Sequence, residues 1–374
     1  MGNKLSGLLT IILFASASLF AQQQKPPHKP LRVGIVGLVH DHVHGILGRE
    51  NKGDIEIVGI AEPNLDLAQR YSKQHGYDMK LVYSTMEEMI EKTRPDAVLA
   101  FNDIYDHLKV VEYCAPKGIH VMVEKPMAVS MEHAAKMIAL ATKYKIFLLT
   151  NYETTWYGSN DLAYRLTINE NKIGDIRKIV FHTGHQGPIE IGCSPEFLAW
   201  LTDPVLNGGG ALTDFGCYGA DLATWFMKGE QPISVTAVTQ HIKPEEYPKV
   251  EDEATIILTY PKAQVIIEAS WNWPYGRKDM ELYGKTGYIF CKDGSQMVLR
   301  PDVKSTPENM TAPALPSNRN DPFGYFANVI NGDITMSVND LSAPQTNETV
   351  IKILDAAKLS AKKGKTVIWK ELYH

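Results

Sequence analysis

Apolar residues are arranged in two different ways along this chain, and the change between them divides it. In the first part they form short unbroken runs, separated by longer stretches with apolar residues at helical spacing. Leu31 to Gly37 is such a run, ends in glycine, and predicts a strand buried on both faces. Ile55 to Ala61, Ala97 to Ala100, His120 to Glu124 and Ile146 to Leu149 read the same way. Between them, Leu65 to His75, Leu108 to Lys117 and Met131 to Tyr144 carry helical periodicity, and Ser84-Thr-Met-Glu87 has the pattern of a capping box opening another helix. This alternation predicts a doubly wound parallel sheet of the Rossmann type over residues 31–150, with ligands at the carboxyl ends of its strands.

From residue 151 to about 345 the period shortens to two. Lys178 to His182, Ser234 to Val238, Ala254 to Tyr260, Gln264 to Trp271 and Lys278 to Tyr283 predict a large, open, mostly antiparallel sheet in an α+β domain. The fold class is therefore α/β with a second α+β domain. Residues 301–322 are rich in proline, asparagine and serine and read as a long excursion. Over 346–374, a helix from Glu348 to Lys363 and a tail are expected to pack back on the core.

The N-terminus follows neither pattern. Lys4 precedes an apolar run from Leu8 to Phe14, then small residues, then Ala21 and three glutamines. Residues 1–21 read as a Sec-type signal peptide, and 22–30, with Pro26, Pro27 and Pro30, as an extended spacer. The apolar run is too short to span a bilayer comfortably, so no anchor is expected after cleavage and the location is periplasmic or otherwise exported.

Composition narrows the picture. With 374 residues, 44% of them hydrophobic, the chain can build two cored domains. A net charge of -5 with no basic run argues against a nucleic-acid partner. The 4 cysteines are scattered without a CxxC pair, which excludes a disulfide framework and zinc-finger spacing.

Candidate chemistry begins where the first strand ends. Gly37 fits the tight-turn glycine of GxGxxG, but Val39 and His42 hold the next two glycine positions, so the fingerprint is broken. Such a loop can still bind phosphate through the helix N-terminus that follows. Glu62 ends the second strand, where a carboxylate accepts from an adenosine ribose and favours NAD over NADP. His40, His42 and His44 crowd the turn. His40 and His44, at i and i+4, have a spacing that can share a metal, but no carboxylate pair completes it. No metal site is expected; donation toward pyrophosphate or substrate, or plain helix capping, are the alternatives.

Pro95 to His107, Ala115 to Pro126 with its Glu124-Lys125-Pro126 tripeptide, Ile173 to Arg177, and Asn207 to Tyr218 resemble the Gfo/Idh/MocA oxidoreductases, named for glucose–fructose oxidoreductase and inositol dehydrogenase. The resemblance implies that Lys125 approaches the nicotinamide and binds the reacting hydroxyl, with a pKa depressed by burial so that it can relay a proton. It implies an NAD site drawn from Gly37, Val39, His40, Glu62, Asn102, His107, Glu124 and Lys125. Asp214 and Tyr218 share one helix face at i and i+4. Tyr218 stands where many members carry histidine, and is expected to be the general acid/base, with a pKa lowered by Lys125. Asp214 is expected to orient the substrate. Trp156, Tyr157, His185 and Trp200 are expected to line a sugar site. In the family the open sheet often makes oligomer contacts, so a homodimer or homotetramer is expected.

Three functions follow, in order of preference. The first is NAD-dependent oxidation of a secondary hydroxyl of a sugar or glycoside, with a tightly bound, recycled cofactor. The second is redox-neutral glycoside cleavage by oxidation and elimination. The third is a non-catalytic sugar sensor on a dehydrogenase fold.

Overall fold

The computed structural model describes residues 28–373, and Gly2 apart from them; the signal-peptide reading and most of the spacer lie outside the described residues. Two sheets organise the chain. The first contains β1 (Leu31–Val36), β2 (Ile55–Ala61), β3 (Val82–Tyr83), β4 (Ala97–Ala100), β5 (His120–Glu124) and β6 (Leu148–Asn151). All are parallel, in the order β3-β2-β1-β4-β5-β6. The order reverses between β1 and β4, which puts the switch-point crevice outside their carboxyl ends.

The helices of this half are α1 (His44–Leu47), α2 (Leu65–His75), α3 (Met86–Thr93), α4 (His107–Cys114) and α5 (Met131–Tyr144). Asn64 caps α2 by accepting from Leu67 N, and Gly76 closes it at φ 77°. At α3 the cap is Thr85, accepting from Glu88 N at 3.1 Å, so the capping box lies one residue later than Ser84. β6 begins at Leu148 rather than Ile146 because Ile146 N still donates to Ala141 O at 3.1 Å, closing α5.

The chain then crosses to the second half through α6 (Gly158–Tyr164), β7 (Ile176–Gly184), α7 (Pro195–Leu201) and α8 (Ala211–Phe226). β8 (Ser234–Gln240), β9 (Glu253–Thr259), β10 (Gln264–Ser270), β11 (Arg277–Gly284), β12 (Tyr288–Cys291), β13 (Gln296–Arg300) and β14 (Glu308–Thr311) follow. Then come α9 (Pro322–Ile330), α10 (Pro344–Lys363) and β15 (Val367–Ile368). The nine-stranded sheet runs β14-β13-β12-β11-β7-β10-β9-β8-β15. It is antiparallel except for β7 beside β10. α8 packs on β10 and β7 of this sheet and against α10, which also lies on β8, and α8 is buried almost throughout.

The excursion over 301–322 contributes β14 to the sheet edge and leads into α9, which packs far from its sequence neighbours. Phe323, Tyr325, Phe326, Ala327 and Val329 of α9 join a cluster with Leu31, Val33, Ile35 and Ile60 of the first sheet and Leu67 of α2. Asp321 caps α9 through Phe323 N and Gly324 N and also pairs with Arg49 and Lys52. No helix among the described residues is long and apolar enough to cross a membrane.

Candidate active site

The candidate reactive centre lies where β5 of the first sheet meets α8 of the second half. β5 ends at Glu124, and Lys125 follows before a cis peptide to Pro126. Lys125 Nζ donates to Asp214 Oδ1, and to the Asp214 carbonyl at 3.1 Å. The other carboxylate oxygen of Asp214 accepts from Trp271 Nε1 at 3.0 Å. Lys125 and Asp214 are 6% and 5% exposed, so the pair is held out of water.

Burial is the largest single influence on both groups and opposes their charges. For Lys125 it is outweighed by Asp214 together with Cys217 and Glu124, and the ammonium is held above its ordinary 10.5. For Asp214 it is outweighed by Lys125, His185 and the Trp271 hydrogen bond, and the carboxyl is held below 3.8. The depressed lysine expected from sequence is thus corrected: the aspartate reverses the effect of burial. Tyr218 is corrected likewise. It is 1% exposed, and burial, reinforced by Glu153 and other anionic neighbours, drives its phenol well above 10. Lys125, neutralised by Asp214, lies 5.1 Å from the Tyr218 ring centroid and does not lower it.

Beside this centre opens a cavity of about 790 Å³. Phe215 and Lys278 of its wall connect it to the centre: Phe215 lies under Lys125, and Lys278 Nζ is 4.8 Å from the Tyr218 ring centroid. Lys278 pairs with Glu153, which also accepts from Tyr157 OH at 2.5 Å. Tyr157 and His185 both line the cavity. His185 Nδ1 accepts from Gly187 N at 2.9 Å, and burial takes the ring down to about 4, so it is neutral at physiological pH. Trp200 and Trp156 are not in this wall. Trp200 packs on His40 and Phe197 and donates to Val39 O at 3.2 Å. Trp156 donates to Asn151 Oδ1 at 3.0 Å and packs on Tyr325. Each indole N–H is satisfied by structure rather than offered to a ligand.

At the switch point a second cleft, of about 310 Å³, is lined by Gly37, Val39, Glu62, Asn102, Asp106 and Lys109 among others. Gly37 has φ 79°, and a Cβ there would stand 2.8 Å from Asn102 N, so both the turn and the approach of β4 require glycine. The Glu62 carboxylate accepts from Leu38 N and Asn64 N, both at 2.8 Å, and burial raises its pKa. Each oxygen keeps a lone pair for a ribose hydroxyl. Asn102 Oδ1, His107 Nε2 and His40 Nε2 are buried without hydrogen-bond partners among the described residues. Burial keeps both histidines neutral, His107 at about 4 and His40 well below its ordinary value. A polar cleft of this shape with orphaned polar atoms beside it fits a dinucleotide. Glu124 stands between the two regions, accepting from Asn151 Nδ2 and bonded to His42 Nδ1, each at 2.8 Å.

Sequence reasoning did not find Trp271, Lys278 or Glu153. Trp271 and Lys278 were inside predicted strands, with nothing local to single them out. The clue for Trp271 was general: a strand-end indole in a core needs an acceptor for its N–H.

These features define a two-domain oxidoreductase with a nicotinamide-dinucleotide cleft in the first domain. Residues 31–152 match the model described as "Oxidoreductase family, NAD-binding Rossmann fold", and residues 162–290 match the "GFO/IDH/MocA C-terminal domain". The chain belongs to the Gfo/Idh/MocA family, and its first domain is NAD-binding. It is similar to trans-1,2-dihydrobenzene-1,2-diol dehydrogenase of Xenopus tropicalis, 29% identical over 184 residues, 49% of this chain and 52% of that protein. The match thus spans about half the length of that relative. Among solved structures, aldose-aldose oxidoreductase from Caulobacter crescentus complexed with glycerol superposes with TM-score 0.75 and 22% identity, covering 91% of this chain and 99% of that one. GenD2 from gentamicin A biosynthesis in complex with NAD gives TM-score 0.74 and 20% identity, covering 92% and 98%. At these identities the likeness is one of fold.

Proposed function

We propose that this protein interconverts a secondary hydroxyl of a sugar or glycoside with the corresponding ketone, with NAD as the redox partner. The observation that carries the reading is the buried Lys125–Asp214 pair beside a wide, polar, aromatic-walled cavity and one strand away from the dinucleotide cleft. The similarity to a diol dehydrogenase and to an aldose-aldose oxidoreductase crystallised with glycerol supports a polyhydroxylated substrate.

NAD, when bound, supplies or accepts the hydride. The chain's own residues handle the oxygen and its proton. The Lys125 ammonium donates to the substrate oxygen and so polarises the carbonyl for hydride addition. Tyr218, kept neutral, is a second donor rather than a base. Asp214 holds Nζ in place through Oδ1 while Trp271 fixes its other oxygen, so the ammonium is positioned before substrate arrives. When the carbonyl is reduced, the alkoxide oxygen takes its proton from Lys125. In the oxidative direction neutral Lys125 takes the hydroxyl proton back, as reversibility requires.

The reading extends to location: residues 1–21 direct export, and the cofactor is then retained and recycled, because free dinucleotide is scarce outside the cytoplasm. The test is to heat-denature purified mature protein and assay the supernatant for NAD(H) and NADP(H), then incubate native protein with aldoses and glycosides and look for keto sugars. Near-stoichiometric NAD(H) with keto-sugar formation that vanishes in Lys125→Met is the expected result. No retained dinucleotide and no binding of added NAD sinks it.

A further inference from the structure

We propose that His40, His42 and Glu124 form a binding site for a divalent transition-metal ion of the zinc class. This goes beyond the redox reading and does not rest on it. The sequence pairs His40 and His44 at helical spacing, but the fold separates them. His44 Nδ1 is bonded to His75 Nε2 at 2.7 Å, while His40 and His42 converge on the carboxylate that ends β5. One donor atom from each of His40, His42 and Glu124 lies within 4.8 Å of the other two. Donors bound tetrahedrally at ordinary zinc distances stand about 3.4 Å apart, so the widest pair closes by up to roughly 1.5 Å.

The surroundings suit a cation. Glu124 is 2% exposed and His40 is fully buried, so neither is a solvated surface group. The buried Nε2 of His40 has no hydrogen-bond partner among the described residues. His42 Nδ1 already meets Glu124 Oε2 at 2.8 Å, a contact in which an ion replaces the shared proton. Glu124 Oε1 is oriented by Asn151 Nδ2 at 2.8 Å, the outer support that metal-bound carboxylates have. The Lys125 ammonium, which acts on His40, is itself neutralised by Asp214.

One contact opposes binding. His40 Nδ1 accepts from His42 N at 3.2 Å, which in a neutral ring leaves the proton on Nε2. Coordination through either ring nitrogen gives up that single weak bond, because binding through Nε2 moves the proton to Nδ1. The loss is small beside coordination by three ligands, which in metal-dependent domains is enough to drive folding. Two imidazoles and one carboxylate select zinc, cobalt(II) or nickel(II) over magnesium or calcium. Three protein ligands leave a position open for water or a substrate oxygen, as in catalytic rather than closed structural sites. Glu124 immediately precedes Lys125, so that position lies beside the reactive centre.

The experiment uses the full mature chain with whatever dinucleotide it retains and without a histidine tag, stripped of metal by a chelator and titrated with cobalt(II). Visible d–d absorption and calorimetry are read together. One equivalent is expected to bind. His42→Gln, at a half-exposed position where folding is checked by thermal melting, should weaken binding by at least about 100-fold, the upper range for changes one layer further from a metal. His44→Gln should leave binding unchanged. No binding by millimolar cobalt(II) or zinc(II) overturns the site. So does binding that survives His42→Gln, or that is lost in His44→Gln instead.

Discussion

Lys125 and Asp214 each remain charged because the other is present. Removing the amine in Lys125→Met strands a carboxylate that is 5% exposed, and the loss of one partner from a buried pair costs about 3–5 kcal/mol. Urea denaturation should register that loss, while Lys125→Met/Asp214→Asn should recover most of the stability and none of the activity. Since Asp214 titrates below 3.8, its contribution is present above that value and lost as pH falls through the lowered one. Lys125 titrates above 10.5, so its contribution holds below that value and is lost as pH rises through the raised one. Between these limits stability from the pair is flat. Catalysis is not symmetric across the same range. Ketone reduction uses the ammonium and should hold level from pH 6 to 8. Oxidation needs the neutral amine, so its kcat/KM should climb toward alkaline pH; a bell centred near neutrality in the oxidative direction would refute Lys125 as the proton carrier. Lys125 and Asp214 were legible because their motifs are contiguous. Their acidities, and that of Tyr218, were not, because they depend on burial and on partners such as Trp271, 57 residues along the chain.

The elements were legible where periodicity was sustained and illegible where it was short. β1, β2, β4 and β5, with α2 and α5, follow the predicted spans closely because each is a continuous apolar run or a repeated helical stripe. β12 and β14 have 4 residues each, too few to establish a period, and were missed. The start of α3 tests register at one residue: Thr85→Ala should cost about 1 kcal/mol as a lost cap, whereas Ser84→Ala should be nearly neutral. Gly37→Ala combines a left-handed φ with a Cβ 2.8 Å from Asn102 N. It is expected to cost about 1–3 kcal/mol and to abolish retention of NAD, measured by thermal melting and by dinucleotide release.

Across the whole molecule, α7 of the second half is fastened to the turn after β1. Asp41 accepts from Ser194 N at 2.9 Å and Ser194 Oγ at 2.6 Å, Trp200 reaches Val39 O, and Arg70 pairs with Glu196 at 2.8 Å. The clasp holds the turn that carries Val39 into the wall of the cofactor cleft, so Asp41→Ala should speed NAD dissociation about tenfold, the equivalent of one charge-assisted hydrogen bond. Stopped-flow release of bound NADH checks it, and an unchanged rate would mean that α7 does not retain the cofactor. Sequence placed this segment in the second domain without showing that it touches the first, since such contacts leave no periodic trace. α9 is the larger case. A protein emerging from the ribosome completes its N-terminal sheet early, yet the apolar surface of β1 and β2 here is covered only once Phe323 and Phe326 have been made. The cofactor domain is therefore not a cassette: a fragment ending near residue 152 would carry every strand of its sheet and still lack part of its own core, and recombination that moved only that fragment would move an unfinished fold.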